Sequence, residues 1–155
     1  MAGAKTLGCF QMEKIQGHDE IVVKATLQKI WKILEDSTRL TQWATMVKST
    51  TGRTERVGSV RSCQVELMGK KDEVTERCIK AVPNKRIMWS MEKGAMKKMF
   101  SDIRFGFVLE PKNGSTLLQM EFIYEPKNIL ALIMYHLMMR NKMTERTRLQ
   151  TRLKE

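Results

Sequence analysis

Two ionisable residues, Arg61 and Glu76, fall where the pattern calls for apolar side chains. Arg61 shares strand parity with Cys63, Val65 and Leu67, and Glu76 with Val74 and Cys78. An inward guanidinium can hold a carboxylate or phosphate through its planar fork. An inward carboxylate can act as a base or accept a hydrogen bond from a ligand hydroxyl. The competing reading for both is a structural ion pair. Ser101 and Tyr124 are minor polar candidates, and His136 reads as a partly exposed helix residue. No catalytic constellation stands out: the chain has no GxSxG elbow, no P-loop, no GxGxxG and no HExxH. The fragment from Gly52 to Arg56 reads as a polar turn rather than a phosphate loop. Metal ligation is disfavoured, because the only histidines, His18 and His136, sit at opposite ends. No cofactor is expected. The cysteines Cys9, Cys63 and Cys78 form no CxxC and read as free thiols, with Cys63 and Cys78 as small buried apolar residues.

The elements that must position these residues can be read from periodicity. A strand lies within Met12 to Val23. Leu27, Ile30, Trp31 and Leu34 then share one helical face, with Thr26 as N-cap. Asp36 can cap a second short helix through Leu40 and Trp43. From Thr45 to Glu125 the chain reads as strands divided by turns. Asn113-Gly114 is the strongest hairpin signal, since both residues tolerate positive φ. A two-residue turn there pairs Leu109 with Leu118, Phe107 with Met120, Phe105 with Phe122 and Ile103 with Tyr124, all on one face.

A turn at Gly69-Lys70-Lys71-Asp72 pairs Leu67 with Val74, Val65 with Glu76 and Cys63 with Cys78. In that register Arg61 and Glu76 meet only by leaning along the sheet or through a water. A turn at Pro83 to Arg86 sets Val82 opposite Ile87 and Cys78 opposite Met91, although Ile79 interrupts the alternation. The inward set continues with Ile87, Trp89 and Met91. Pro126 ends the sheet, and Asn128 can cap a long last helix whose apolar face is Leu130, Ile133, Met134, Leu137 and Met138. The order is strand, two short helices, six strands, long helix, an α+β arrangement.

The 155 residues suit one domain: a lead-in over 1–11, the domain over 12–150, and a basic end over 151–155. The formal charge is +11, of which residues 140–155 hold +4, so a polyanionic partner must be weighed. Cations at a helix C-terminus are the blander reading. The chain lacks an RNA-binding aromatic motif, zinc-finger spacing and a zipper, which disfavours nucleic acid. An acidic membrane surface met through the basic C-terminal helix stays open, as does the oligomeric state. The start of the chain carries no secretory pattern, and with the odd cysteine count this points to the cytoplasm.

An ordered set of fragments adds to this reading. Ala25 through Ile30-Trp31 to Asp36 is followed by Leu40-Thr41-Gln42-Trp43, Gly58-Ser59-Val60-Arg61 and Glu76-Arg77. Then come Pro83 to Trp89, Gly114-Ser115-Thr116 and Tyr124-Glu125-Pro126. In this order they resemble the START-like superfamily, which includes the birch-pollen-allergen-like proteins and the polyketide cyclase/dehydrase and lipid-transport group. The resemblance implies a helix-grip fold: a curved seven-stranded antiparallel sheet around a long C-terminal helix, with two short helices after the first strand. It also implies a cavity for a lipid, polyketide or other apolar ligand between sheet and helix.

Arg61, Glu76, Trp89, Phe105, Phe107, Met120, Phe122, Tyr124, Met134 and Met138 are the candidate ligand contacts. The 13 methionines suit adaptable apolar surfaces. The leading expectation is binding or transport of a small hydrophobic or amphipathic ligand. The alternative is a polyketide cyclase- or dehydratase-like enzyme using Glu76 with Tyr124 or Arg61. A third reading is an interaction module docking through its basic last helix. The competing structural reading is a closed core with no pocket.

Overall fold

The structure is a computed structural model and describes residues 14–52, 56–67, 69–133 and 135–137. Strand β1 (Ile15–Val23) leads into helix α1 (Leu27–Leu34), a 3-10 turn at Ser37–Arg39 and a one-turn helix α2 (Leu40–Trp43). Six further strands follow: β2 (Val47–Thr50), β3 (Val60–Leu67), β4 (Lys70–Val82), β5 (Arg86–Lys93), β6 (Phe100–Lys112) and β7 (Ser115–Pro126). A last helix, α3, begins at residue 129 and continues through 137 with residue 134 undescribed. Its extent beyond 137, the lead-in 1–11, the basic end and residues 53–55 of the expected polar turn lie outside the described residues.

The seven strands form one antiparallel sheet in the order β1-β7-β6-β5-β4-β3-β2. Successive hairpins build β2 to β7, and β1 returns to pair with β7. All three helix caps read from sequence are present, Asn128 Oδ1 accepting from the Ala131 amide at 2.9 Å at the start of α3. Thr26 Oγ1 accepts from the Lys29 amide at 3.3 Å, and Asp36 Oδ1 accepts from the Thr38 amide at 3.0 Å. The β1–α1 corner is fastened by buried Thr116, whose hydroxyl donates to the Ala25 carbonyl at 2.8 Å.

The Asn113-Gly114 hairpin has the expected register, with Leu109–Leu118, Phe107–Met120, Phe105–Phe122 and Ile103–Tyr124 as partners. Asn113 and Gly114 both carry positive φ, at 48° and 78°.

The two preceding hairpins differ from the sequence reading. The β3–β4 turn is tighter than expected: Leu67 pairs with Lys70, Cys63 with Val74 and Arg61 with Glu76. Gly69 takes φ 77°, and the polar run Lys70-Lys71-Asp72 is strand rather than turn. Asp72 has its own task there, accepting from the Ala95 amide at 2.7 Å and so anchoring the 3-10 turn Ala95–Lys98 before β6. The displacement is an even number of residues, so every side chain keeps its face while every partner changes.

In the β4–β5 pair, Val82 meets Arg86 rather than Ile87, and Cys78 meets Trp89 rather than Met91. The register shifts between Cys78 and Lys80, so Ile79 is the bulged residue.

Two large apolar clusters, with a smaller one of Leu40, Ala44 and Cys63, fill the inner side of the sheet. One gathers α1 (Ile30, Trp31, Ile33, Leu34) onto Cys78, Ile87, Trp89, Phe107, Leu109 and Leu118. The other gathers α3 (Ala131, Tyr135) onto Val74, Met91, Phe100, Ile103, Phe122 and Tyr124.

The α3 face is a correction. Leu130, Ile133 and Leu137 were expected against the sheet but are exposed, as is Ile129. The contact is made instead by Ala131, fully buried, and Tyr135 one turn later. A methyl side chain at the contact lets the helix axis come close, and the Tyr135 ring then fits among Phe122 and Tyr124 at centroid distances of 6.3 and 5.6 Å.

Burial pushes the Tyr135 phenol up from its ordinary range, with Tyr124 beside it as the second cause. A pKa raised on folding means this docking is at full strength below the ordinary phenol range. It is lost as pH rises through the raised value. Alkaline titration of the tyrosinate absorbance should therefore show a late-ionising phenol that Tyr135→Phe removes. Ionisation of Tyr135 together with a free phenol would contradict the docking.

Cys63 and Cys78 are both buried but belong to different clusters, Cys63 with Leu40 and Ala44 and Cys78 with the α1 cluster. They are not cross-strand partners, contrary to the expected register. A thiol reagent is expected to modify neither in the folded protein and both on unfolding. Rapid native modification of either would show its strand turned outward.

Candidate ligand-binding site

The register aligns the candidate residues in rows across the inner face. One row runs Arg61, Glu76, Met91 from β3 to β5. The next runs Cys78, Trp89, Phe105, Phe122, Gly17 from β4 to β1, and a third Ala81, Ile87, Phe107, Met120, Asp19. Five strands, β3 to β7, thus bring Arg61, Glu76, Trp89, Phe105, Phe107, Met120 and Phe122 to one face. Tyr124 shares that face but packs into the α3 cluster against Phe100. Met134 and Met138 lie outside the described side chains. Ser101 does not join the site: it is exposed and donates to the Glu125 carbonyl at 3.3 Å.

Arg61 and Glu76, directly opposite on neighbouring strands, form a buried pair. Arg61 Nε donates to Glu76 Oε2 at 2.7 Å, and an Nη atom lies 2.7 Å from the same oxygen. Arg61 is only 2% exposed. Its guanidinium carbon stands 4.4 Å from the Trp89 ring centroid, a cation–π contact in a desolvated setting. Direct pairing removes the need for a bridging water. The charges cancel locally, which is the condition for keeping either inside.

Trp89 is the hub. It stacks with Phe105 at 5.6 Å and meets Phe107 edge-on at 6.4 Å, while Trp43 of α2 meets Phe107 edge-on at 5.7 Å. Sequence reading placed Trp43 on a helix but not in the site. Its signal was an aromatic at the end of a one-turn helix, a position that can lean over the sheet. Gly17 was also missed. A Cβ there would fall 2.3 Å from the tip of the Phe122 ring, so the absent side chain is where that ring lies.

Among the aromatic residues of the inner rows, Phe105 is set apart. It packs against both apolar clusters and is still only partly buried, as is Met120. Both are flanked by paired strands on either side. Their residual exposure therefore opens toward the inner side, between the α1 and α3 clusters.

Among the described residues, no group of three or more His, Cys, Asp or Glu is placed to hold a metal ion. None of the described helices is long and apolar enough to cross a membrane.

Comparison with known proteins agrees with this architecture. Residues 14–153 match the model of the polyketide cyclase / dehydrase and lipid transport family, and the chain belongs to that family. Solved structures share the fold at low identity. A START superfamily protein from Mycobacterium smegmatis is 20% identical with a TM-score of 0.72, covering 89% of this chain and 96% of that one. Ginseng major latex-like protein 151 from Panax ginseng is 12% identical with a TM-score of 0.68, covering 90% and 97%. The Aha1 dimer from Colwellia psychrerythraea is 21% identical with a TM-score of 0.65, covering 90% and 96%. No curated protein sequence matches the chain. The fold is thus the α+β helix-grip arrangement of START-like proteins.

Proposed function

We propose that the protein binds a small hydrophobic or amphipathic molecule, and carries it, in the space over the inner face between the α1 and α3 clusters. The observation that supports this most is the partial exposure of Phe105 and Met120 in the middle of an otherwise buried aromatic face. A folded chain that leaves such surface open to one side loses apolar burial worth about 25 cal/mol per Å2. An apolar occupant recovers it. Phe105, Phe107, Met120 and Phe122 supply the apolar wall, and Arg61 with Glu76 beside Trp89 supplies a polar end that orients the ligand. Family membership, with lipid transport in the family's description, points the same way.

The enzyme alternative has less support. Glu76 Oε2 is already engaged twice by Arg61, and Tyr124 sits within the α3 cluster. An anilinonaphthalene sulfonate probe should fluoresce with the folded protein and be displaced by a fatty acid. No probe binding to the folded protein would defeat the proposal.

The exposed aliphatic face of α3 favours a second, compatible reading, docking on an acidic membrane surface. Ile129, Leu130, Ile133 and Leu137 are 42–70% exposed, and exposed Lys127 precedes them. The Lys127 amide bonds the Met99 carbonyl, which brings exposed Lys98 to the same end. Vesicles rich in phosphatidylserine should co-sediment the protein at low salt, and Leu130→Ser with Ile133→Ser should abolish it. Equal recovery with neutral vesicles would remove the charge argument.

A further inference from the structure

Trp43 Nε1 and Trp89 Nε1 are buried donors with no acceptor among the described residues. The third atom of this kind among the described residues, Arg86 Nε, belongs to the outer face. Buried donors are normally satisfied, because leaving one bare costs roughly 1–3 kcal/mol. The contrast with Trp31 is internal to this protein: its indole N–H donates to Glu35 Oε2 at 2.7 Å. The two bare donors are not scattered. Both rings meet Phe107 edge-on, at 5.7 and 6.4 Å, so they border one small region of the inner face. Trp89 is wholly buried.

We propose that Trp43 and Trp89 are the hydrogen-bond donors for a neutral carbonyl oxygen on the bound ligand. The inference rests on the ligand-binding reading above and narrows its chemistry to an apolar ketone or ester. The surroundings choose among oxygens. A carbonyl oxygen has two lone pairs and no proton, so it satisfies donors and asks for no acceptor. A hydroxyl would bring a further donor to a region already rich in them. A carboxylate would bring a charge beside an Arg61 whose own charge Glu76 already balances. An ordered water could occupy the same place, and the experiment separates the two.

The protein with isotope-labelled indoles is titrated with methyl nonyl ketone and, separately, with undecane, following the three indole N–H signals. The ketone should move the Trp43 and Trp89 signals downfield and leave Trp31 in place, while undecane should produce no downfield shift. Trp43→Phe and Trp89→Phe should each lower the preference for the ketone over undecane about fivefold, the scale of one net hydrogen bond, whatever the lost ring volume does to both ligands alike. If either variant fails to fold, the shifts in the parent protein decide. Binding of both ligands with the indole signals unmoved, as a resident water would give, overturns this inference alone. Binding of neither overturns it together with the reading it rests on.

Discussion

Arg61→Met is expected to destabilise the protein by about 3–5 kcal/mol, the scale for removing one partner of a buried ion pair. The methionine keeps most of the apolar stem over Trp89, so the loss is electrostatic. It leaves the Glu76 carboxylate inside the sheet without the guanidinium that holds it at 2.7 Å. Replacing both residues together, Arg61→Met with Glu76→Leu, should recover most of that loss or exceed the parent, because no ion is then desolvated. Denaturant unfolding of the two variants checks the prediction. A single variant within 1 kcal/mol of the parent, an outcome scaled to exposed pairs, would mean the pair is wetted in solution. Ligand affinities of Arg61 variants must accordingly be read on folded protein, since a fall in binding and a fall in folded fraction look alike.

Gly106→Ala should cost about 3 kcal/mol, at the upper end of overpacking penalties. Gly106 sits on the outer face of β6 opposite Met88, and a Cβ there would fall 2.1 Å from the Ile87 carbonyl oxygen and 2.8 Å from the Met88 Cα. The obstructing atoms are backbone, so no rotamer change relieves the clash, and β5 must move away from β6. Trp89 and Phe105 face each other across that same pair of strands, so the displacement should also disturb their stacking. A near-ultraviolet circular dichroism change should accompany the fall in unfolding midpoint. An alanine variant as stable as the parent would show that these two strands lie farther apart than described.

Much of this arrangement was legible in the residues. Asn113-Gly114 fixed its hairpin because few residues accept positive φ in succession, and four apolar pairs agreed with it. The α1 face was legible because its period is that of a half-buried helix. The β3–β4 register was not. A polar run such as Lys70-Lys71-Asp72 suits an exposed strand end and a turn equally well, and only the shape of the Gly69 turn separates them. Face assignment survived, since it depends on parity. The pairing of Arg61 with Glu76 did not, since it depends on register. The α3 orientation was hidden for another reason. A segment apolar on every side carries no moment, and the choice of Ala131 and Tyr135 over Leu130 and Ile133 is made by the shape of the sheet beneath. Trp43 and Trp89 were visible as aromatics. Their bare indole nitrogens were not, because satisfaction of a donor is a property of neighbours brought together from distant segments.

The position of β1 governs how this protein comes into being. Ile15 pairs with Tyr124 and Val23 with Thr116, so the first strand waits for the last before it has any partner in the sheet. Its neighbour in sequence, β2, lies at the opposite edge. During synthesis the hairpins from β2 to β7 can close as each emerges, while β1 has no strand to pair with until the chain has passed residue 124. Contacts of such sequence separation slow folding, because the entropy of closing the long loop is lost before they form. In that interval β1 is an unpaired strand, and the edge of β6 waits for β7. A nascent chain of this kind is most exposed to aggregation just before its final strand is released.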